Sequence, residues 1–104
     1  MIKSNIRSNK MKTYLDHLNE VREERIEFMK DFFSKRLKEL REERKYSQKT
    51  VANKLGCAVS TYANWEQGRT EPSIYDIYNI MWVYEIEPNE LFYIEGVSKY
   101  KKNN

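Results

Sequence analysis

The stretch Ser47-Gln-Lys-Thr-Val-Ala-Asn-Lys-Leu-Gly-Cys-Ala-Val-Ser-Thr-Tyr-Ala-Asn-Trp-Glu-Gln-Gly68 reads as two short helices hinged at a glycine. Ser47 is a good N-cap, because its hydroxyl can accept from an unpaired backbone N–H in the first helical turn. Val51, Ala52 and Leu55 then recur at helical spacing, and Gly56 can supply the left-handed residue that ends a helix. A second helix fits from about Ala58 to Gln67, and Gly68 stops it. A turn of about 3–4 residues between two such helices can aim the second into a major groove of DNA.

Outward from this pair, the chain keeps a helical period. Lys35 to Arg44 forms a helix with Leu37 and Leu40 inward. The residues Arg69-Thr70-Glu71-Pro72 form a loop, and Ser73 caps the next helix with Asp76 as its box partner. Ile74, Ile77, Tyr78, Met81 and Tyr84 are the expected buried face of that helix. Pro88 suits the first turn of a last short helix, Asn89 to about Tyr93, which offers Leu91 and Phe92 to the core. Upstream, a polar and basic lead of a dozen residues is expected to be mobile. A drifting apolar stripe follows through Leu15, Leu18, Ile26, Met29, Phe33, Leu37 and Leu40, with Tyr14, Val21, Phe28 and Phe32 beside it. Asp31 or Ser34 could cap a fresh helix, so this segment fits one long helix or two. The expected organisation is a basic arm and helical extension over 1–30, a five-helix domain over 31–95, and a basic flexible tail over 96–104.

Composition supports an all-α protein. Three glycines and two prolines in 104 residues leave few helix breakers. That length suits one domain with an appendage. A single cysteine, Cys57, excludes an internal disulfide and a cysteine-based zinc cluster. Neither a long uncharged apolar run nor a secretory signal is apparent, so the expectation is a cytoplasmic protein with no membrane contact. The net charge of +3 hides an asymmetry: residues 31–65 are basic on balance and residues 66–95 strongly acidic. Such a polar molecule has one face suited to phosphates, although a solvated helix surface would look the same.

From Arg36-Leu37-Lys38-Glu39-Leu40-Arg41 to Phe92 the chain resembles the phage-repressor and Cro type of helix-turn-helix, the XRE family. The shared marks are Leu-x-x-Leu-Arg in helix one, Ser-Gln opening helix two, Ala-x-x-Leu-Gly, Trp-Glu-x-Gly, and Pro-Ser before helix four. The resemblance implies a lambda-repressor-like domain in which Val59, Ser60 and Asn64 read bases. Asn can pair bidentately with adenine, Ser can donate or accept, and Val can touch a thymine methyl. The periodicity agrees: Ala58, Tyr62 and Trp65 share one face, while Val59, Ser60, Ala63, Asn64 and Gln67 lie opposite. Gln48, Lys45, Lys49, Thr61, Arg69 and Thr70 are the expected phosphate contacts; Lys45 and Lys49 could equally be solvated. Arg41 and Glu66 are implied to form a structural ion pair between helices one and three. Ala58 stands where the family usually has a Ser or Thr cap, so that cap is missing or moves to Ser60.

No catalytic constellation, metal site or cofactor motif is apparent. His17 has no ligand-spaced neighbours, and Cys57 has no histidine near it. The expected function is sequence-specific binding of double-stranded DNA, by a dimeric transcriptional repressor on a palindromic operator. Two-fold pairing would set two readers about 34–36 Å apart. Either the N-terminal helix or helix five could form the dimer contact. Two alternatives stay open: an antitoxin that also binds a small protein partner, and a protein-interaction module on the same scaffold.

Overall fold

No proline or glycine interrupts the chain before Gly56, and the first helix uses that freedom in full. The computed structural model describes the backbone of residues 2–93 and the side chains of residues 11–93. Helix α1 (Ile2–Glu43) is followed by α2 (Gln48–Leu55), α3 (Val59–Glu66), α4 (Ile74–Tyr84) and α5 (Pro88–Phe92). The fold is all-α, with five helices and no strand among the described residues. The basic tail 96–104 lies outside them.

One continuous α1 replaces the two helices that Asp31 or Ser34 could have started, and it absorbs the lead expected to be mobile. Both polar side chains find mid-helix roles instead. Asp31 pairs with Lys35 one turn on, at 2.9 Å. Ser34 is buried and donates back to the Lys30 carbonyl at 2.8 Å, so its hydroxyl needs no cap geometry.

The core draws on every helix. Leu37 and Leu40 of α1, Val51 and Ala52 of α2, Tyr62 and Trp65 of α3, Ile80 and Tyr84 of α4, and Leu91 of α5 form one buried cluster. In α4 the expected inward face is partly wrong. Ile74 and Tyr78 are exposed, whereas Ile80 is fully buried. Residues 77, 80, 81 and 84 follow the 3, 1, 3 spacing of a single helical stripe, and Ile74 and Tyr78 fall to its side. Phe92 is half exposed, but its ring stacks on Phe33 at 6.1 Å.

Helix ends are closed by the same device four times. Lys45, Gly56, Gly68 and Glu85 all adopt positive φ. At each, the next residue's N–H reaches five positions back: Tyr46 to Arg41, Cys57 to Ala52, Arg69 to Asn64 and Ile86 to Met81. At Gly68 a side chain would also meet the Ser34 hydroxyl, at 3.2 Å from a Cβ. Side chains then tie neighbouring ends together. Arg44 donates to the Tyr84 carbonyl and lies over the Tyr84 ring, Asn79 donates to the Leu55 carbonyl, and Arg36 donates to the Glu90 carbonyl.

Candidate nucleic-acid interface

The angle between α2 and α3 is set by small residues and one buried carboxylate. Ser47 caps α2, its hydroxyl accepting from the Thr50 N–H at 3.0 Å. Gly56 turns the chain, and α3 starts after Ala58. The Ala58 cap position has extended backbone and no side-chain bond, so the cap is missing and does not move to Ser60. The first-turn N–H groups of α3 therefore have no acceptor from the cap residue. Ala58 itself is exposed, contrary to its expected place on the packed face, because it precedes the helix and its period.

Tyr62 and Trp65 anchor α3 inward, in an edge-on pair at 6.1 Å between ring centroids. Val59, Ser60, Thr61 and Gln67 are exposed, and Ala63 and Asn64 are half-buried. The inward and outward sides of this helix therefore carry different chemistry: rings on one, small and amide groups on the other.

Glu66 ends α3 and is almost wholly enclosed. Arg41 grips it with a two-pronged contact, Nε to Oε2 at 2.7 Å and Nη2 to Oε1 at 3.0 Å. The third nitrogen of Arg41 donates to the Tyr46 carbonyl at 2.9 Å. Gln48, the first residue of α2, adds a bond from Nε2 to Oε1 at 3.2 Å. Burial by itself would raise the Glu66 carboxyl; the hydrogen bonds from Arg41 and Gln48, with the Arg41 charge beside them, outweigh it and hold the group below the usual carboxylate range. Burial pushes the Tyr62 phenol far up, with Glu66 and Tyr84 beside it. One carboxylate thus joins the end of α1, the start of α2 and the end of α3. It also removes the one negative charge of α3 from the outer surface.

The cations around α3 are open. Lys45, Lys49 and Arg69 are exposed and pair with no acid among the described residues, and Thr70 is exposed beside Arg69. Gln48 is half-buried, with one amide hydrogen committed to Glu66 and a second still to place. Sequence reasoning missed the Thr50 hydroxyl, which sits 2.9 Å from that of Ser47, and the Asn79 bond that closes α2. Neither has a local motif to betray it, since the partners are set by the turn and by packing. His17 is exposed on α1. Cys57 is half-buried in the turn, and burial, with Asp76 nearby, raises its thiol. Among the described residues no group of side chains is arranged to hold a metal ion, and no helix is long and apolar enough to cross a membrane.

A glycine-hinged helix pair, with rings inward and small polar groups outward, defines a helix-turn-helix DNA-binding protein. Residues 37–91 match the family described as Helix-turn-helix, and the chain belongs to it, as a member of the XRE type. No curated protein and no solved structure matches the chain. Double-stranded DNA is the partner this family binds.

Proposed function

We propose that the protein is a dimeric transcriptional repressor that reads a palindromic operator through the outer face of α3. Val59, Ser60 and Asn64 face the base edges. Gln48, Lys45, Lys49, Thr61, Arg69 and Thr70 hold the phosphates. The single observation behind this reading is the enclosure of Glu66. With it gripped by Arg41, the outer face of α3 carries no acid, while Lys45, Lys49 and Arg69 have no acidic partner among the described residues. Phosphate contacts supply affinity and register, and the base edges supply discrimination.

Selection from a random DNA pool, followed by binding to the selected site and to scrambled DNA at several salt concentrations, tests it. The selected site should bind at least about a thousandfold tighter than scrambled DNA. Asn64→Ala should cost about 1–3 kcal/mol at the selected site and relax one base position. Lys49→Ala should weaken all DNA alike and lower the salt slope by about one. Equal affinity for selected and scrambled DNA would overturn the reading.

The apolar outer surface of α1 favours one second reading, an antitoxin whose extension holds a small protein. Copurification of a stoichiometric partner from the native host would establish it.

A further inference from the structure

The outer half of α1 carries a row of side chains that the domain does not use. Met11, Tyr14, Leu15, Leu18, Phe28 and Met29 are each between 44% and 60% exposed. Met11, Tyr14, Leu18, Val21, Arg25, Phe28 and Phe32 follow one another at steps of 3 and 4, the seven-residue repeat of a two-helix seam. At about 100° per residue, this seam is centred roughly a quarter turn from Leu37 and Leu40, which face the domain core. The core and the seam are separate faces of one helix.

We infer that the seam pairs with the same seam of a second copy, antiparallel, with the two-fold axis between Asn19 and Glu20. This deepens the dimeric reading above and rests on it. Area and charge select the occupant and its direction. Each aromatic can cover up to ~150–250 Å² and roughly half of that is open here. Tyr14 and Phe28, with the smaller Met11 and Leu18 and the flanking Leu15, therefore supply on the order of 1,000 Å² over the two copies, near the lower end of specific interfaces. The stems of Arg22 and Arg25 add to it.

Direction follows from Arg25. A parallel pair would set Arg25 against the partner's Arg25 inside the seam. The antiparallel register sets Met11 against the partner's Phe28, Leu18 against the partner's Val21, and Arg25 over the partner's Tyr14 ring, where a guanidinium is favoured. The same register brings His17 to the partner's Glu24, a donor facing a carboxylate. His17, Glu24 and Arg25 have no partner within their own chain among the described residues.

The pairing sets operator geometry. From the two-fold axis to Leu37 is about 17–18 residues of helix, roughly 26 Å, so the two domains stand roughly 50 Å apart. That exceeds the ~34–36 Å of half-sites one turn apart, so the half-sites should be more widely spaced. A two-fold axis normal to both helices leaves the two domains on one side of the pair, as a shared duplex requires.

Sedimentation equilibrium of the full chain tests the pairing independently of DNA. The chain should be dimeric at micromolar concentration, and Leu18→Lys should be monomeric while keeping the far-ultraviolet helical signal and the binding of a single half-site. His17→Glu fixes the direction. In the antiparallel pair it faces the partner's Glu24 twice and should raise the dimer dissociation constant about three- to tenfold, and adding Glu24→Arg should restore it. In a parallel pair the new Glu would face the partner's Arg22 and tighten the dimer. A monomeric wild type at 100-fold higher concentration overturns the inference, and so does a tighter His17→Glu dimer. A Leu18→Lys variant that stays dimeric also overturns it and moves the contact elsewhere, the exposed ring face of Tyr75, Tyr78 and Trp82 on α4 being the next surface to test. Loss of DNA discrimination with the dimer intact would sink the operator-reading proposal and leave the pairing standing.

Discussion

Helix α1 lives in two environments. Over residues 33–41 its apolar side chains are sealed by α3 and α5, whereas over residues 11–29 most side chains of the same kind stand in solvent, with Val21 and Ile26 half-buried. Leu37 and Leu15 are the same residue on the same helix, yet one is fully buried and the other more than half exposed. Arg41 is locked into a buried carboxylate, while Arg25 is exposed and has no ion-pair partner among the described residues. Helix propensity does not distinguish the halves, so what separates them is tertiary contact. The inner half is built into the core, and the outer half faces solvent.

Removing the arginines should expose this difference most strongly. Arg41→Ala leaves Glu66 buried without its main counter-charge, and should cost about 3–5 kcal/mol in urea unfolding. Arg25→Ala, measured at dilute protein, should lie within about 0.5 kcal/mol of wild type. Comparable losses for the two would mean that the outer half is as much part of the domain as the inner half.

Truncating the leucines sharpens the same contrast through packing. Leu37→Ala opens a cavity among Leu40, Tyr62 and Leu91 and should cost about 2–5 kcal/mol at any protein concentration. Leu15→Ala should leave the dilute domain nearly unchanged. Its effect should grow with protein concentration, because mass action ties it to association. A concentration-independent loss for Leu15→Ala would place that residue in an intramolecular core.

The buried pair also predicts a pH response confined to the inner half. The Glu66 carboxyl is depressed in the folded chain relative to its ordinary value near 4.5. Its contribution is therefore fully present above that value and is lost as pH falls through the lower, folded one. In wild type the loss should begin below pH 4.5, and Glu66→Gln should remove that part of the acid limb. Arg41→Ala should move it to higher pH, because burial then acts on the carboxyl without its main opponent. An acid limb identical in wild type and Glu66→Gln would show that the pair does not set it.

Helix α3 was legible in the sequence because its two sides differ in size: Tyr62 and Trp65 need a core, and Ser60 and Thr61 do not. Helix α4 was less legible for the opposite reason. Nine of the eleven residues in Ile74–Tyr84 are apolar or aromatic, so the period alone could not choose between Tyr78 and Ile80. The join of the extension to the domain was hidden as well, since Asp31 and Ser34 look like caps until their partners Lys35 and the Lys30 carbonyl are in place.

Helix ends give the finest version of that lesson and the smallest predicted effect. Gly56 and Gly68 announce left-handed turns, because glycine adopts positive φ without a steric penalty. Lys45 and Glu85 take the same conformation, at φ of 57° and 55°, and nothing in their side chains signals it. An L-residue there carries a penalty of order 1 kcal/mol, which the five-back hydrogen bond and the packing of the next residue must offset. At Glu85 that residue is Ile86, which packs against the core while its N–H closes on Met81. Glu85 is exposed and forms no ion pair among the described residues, so replacing it removes strain at little other cost. Glu85→Gly should therefore stabilise the domain by about 0.5–1 kcal/mol in urea unfolding, the gain trimmed by glycine's greater freedom in the unfolded chain. A loss of stability instead would mean that α4 ends on side-chain contacts, with the left-handed turn a consequence of them.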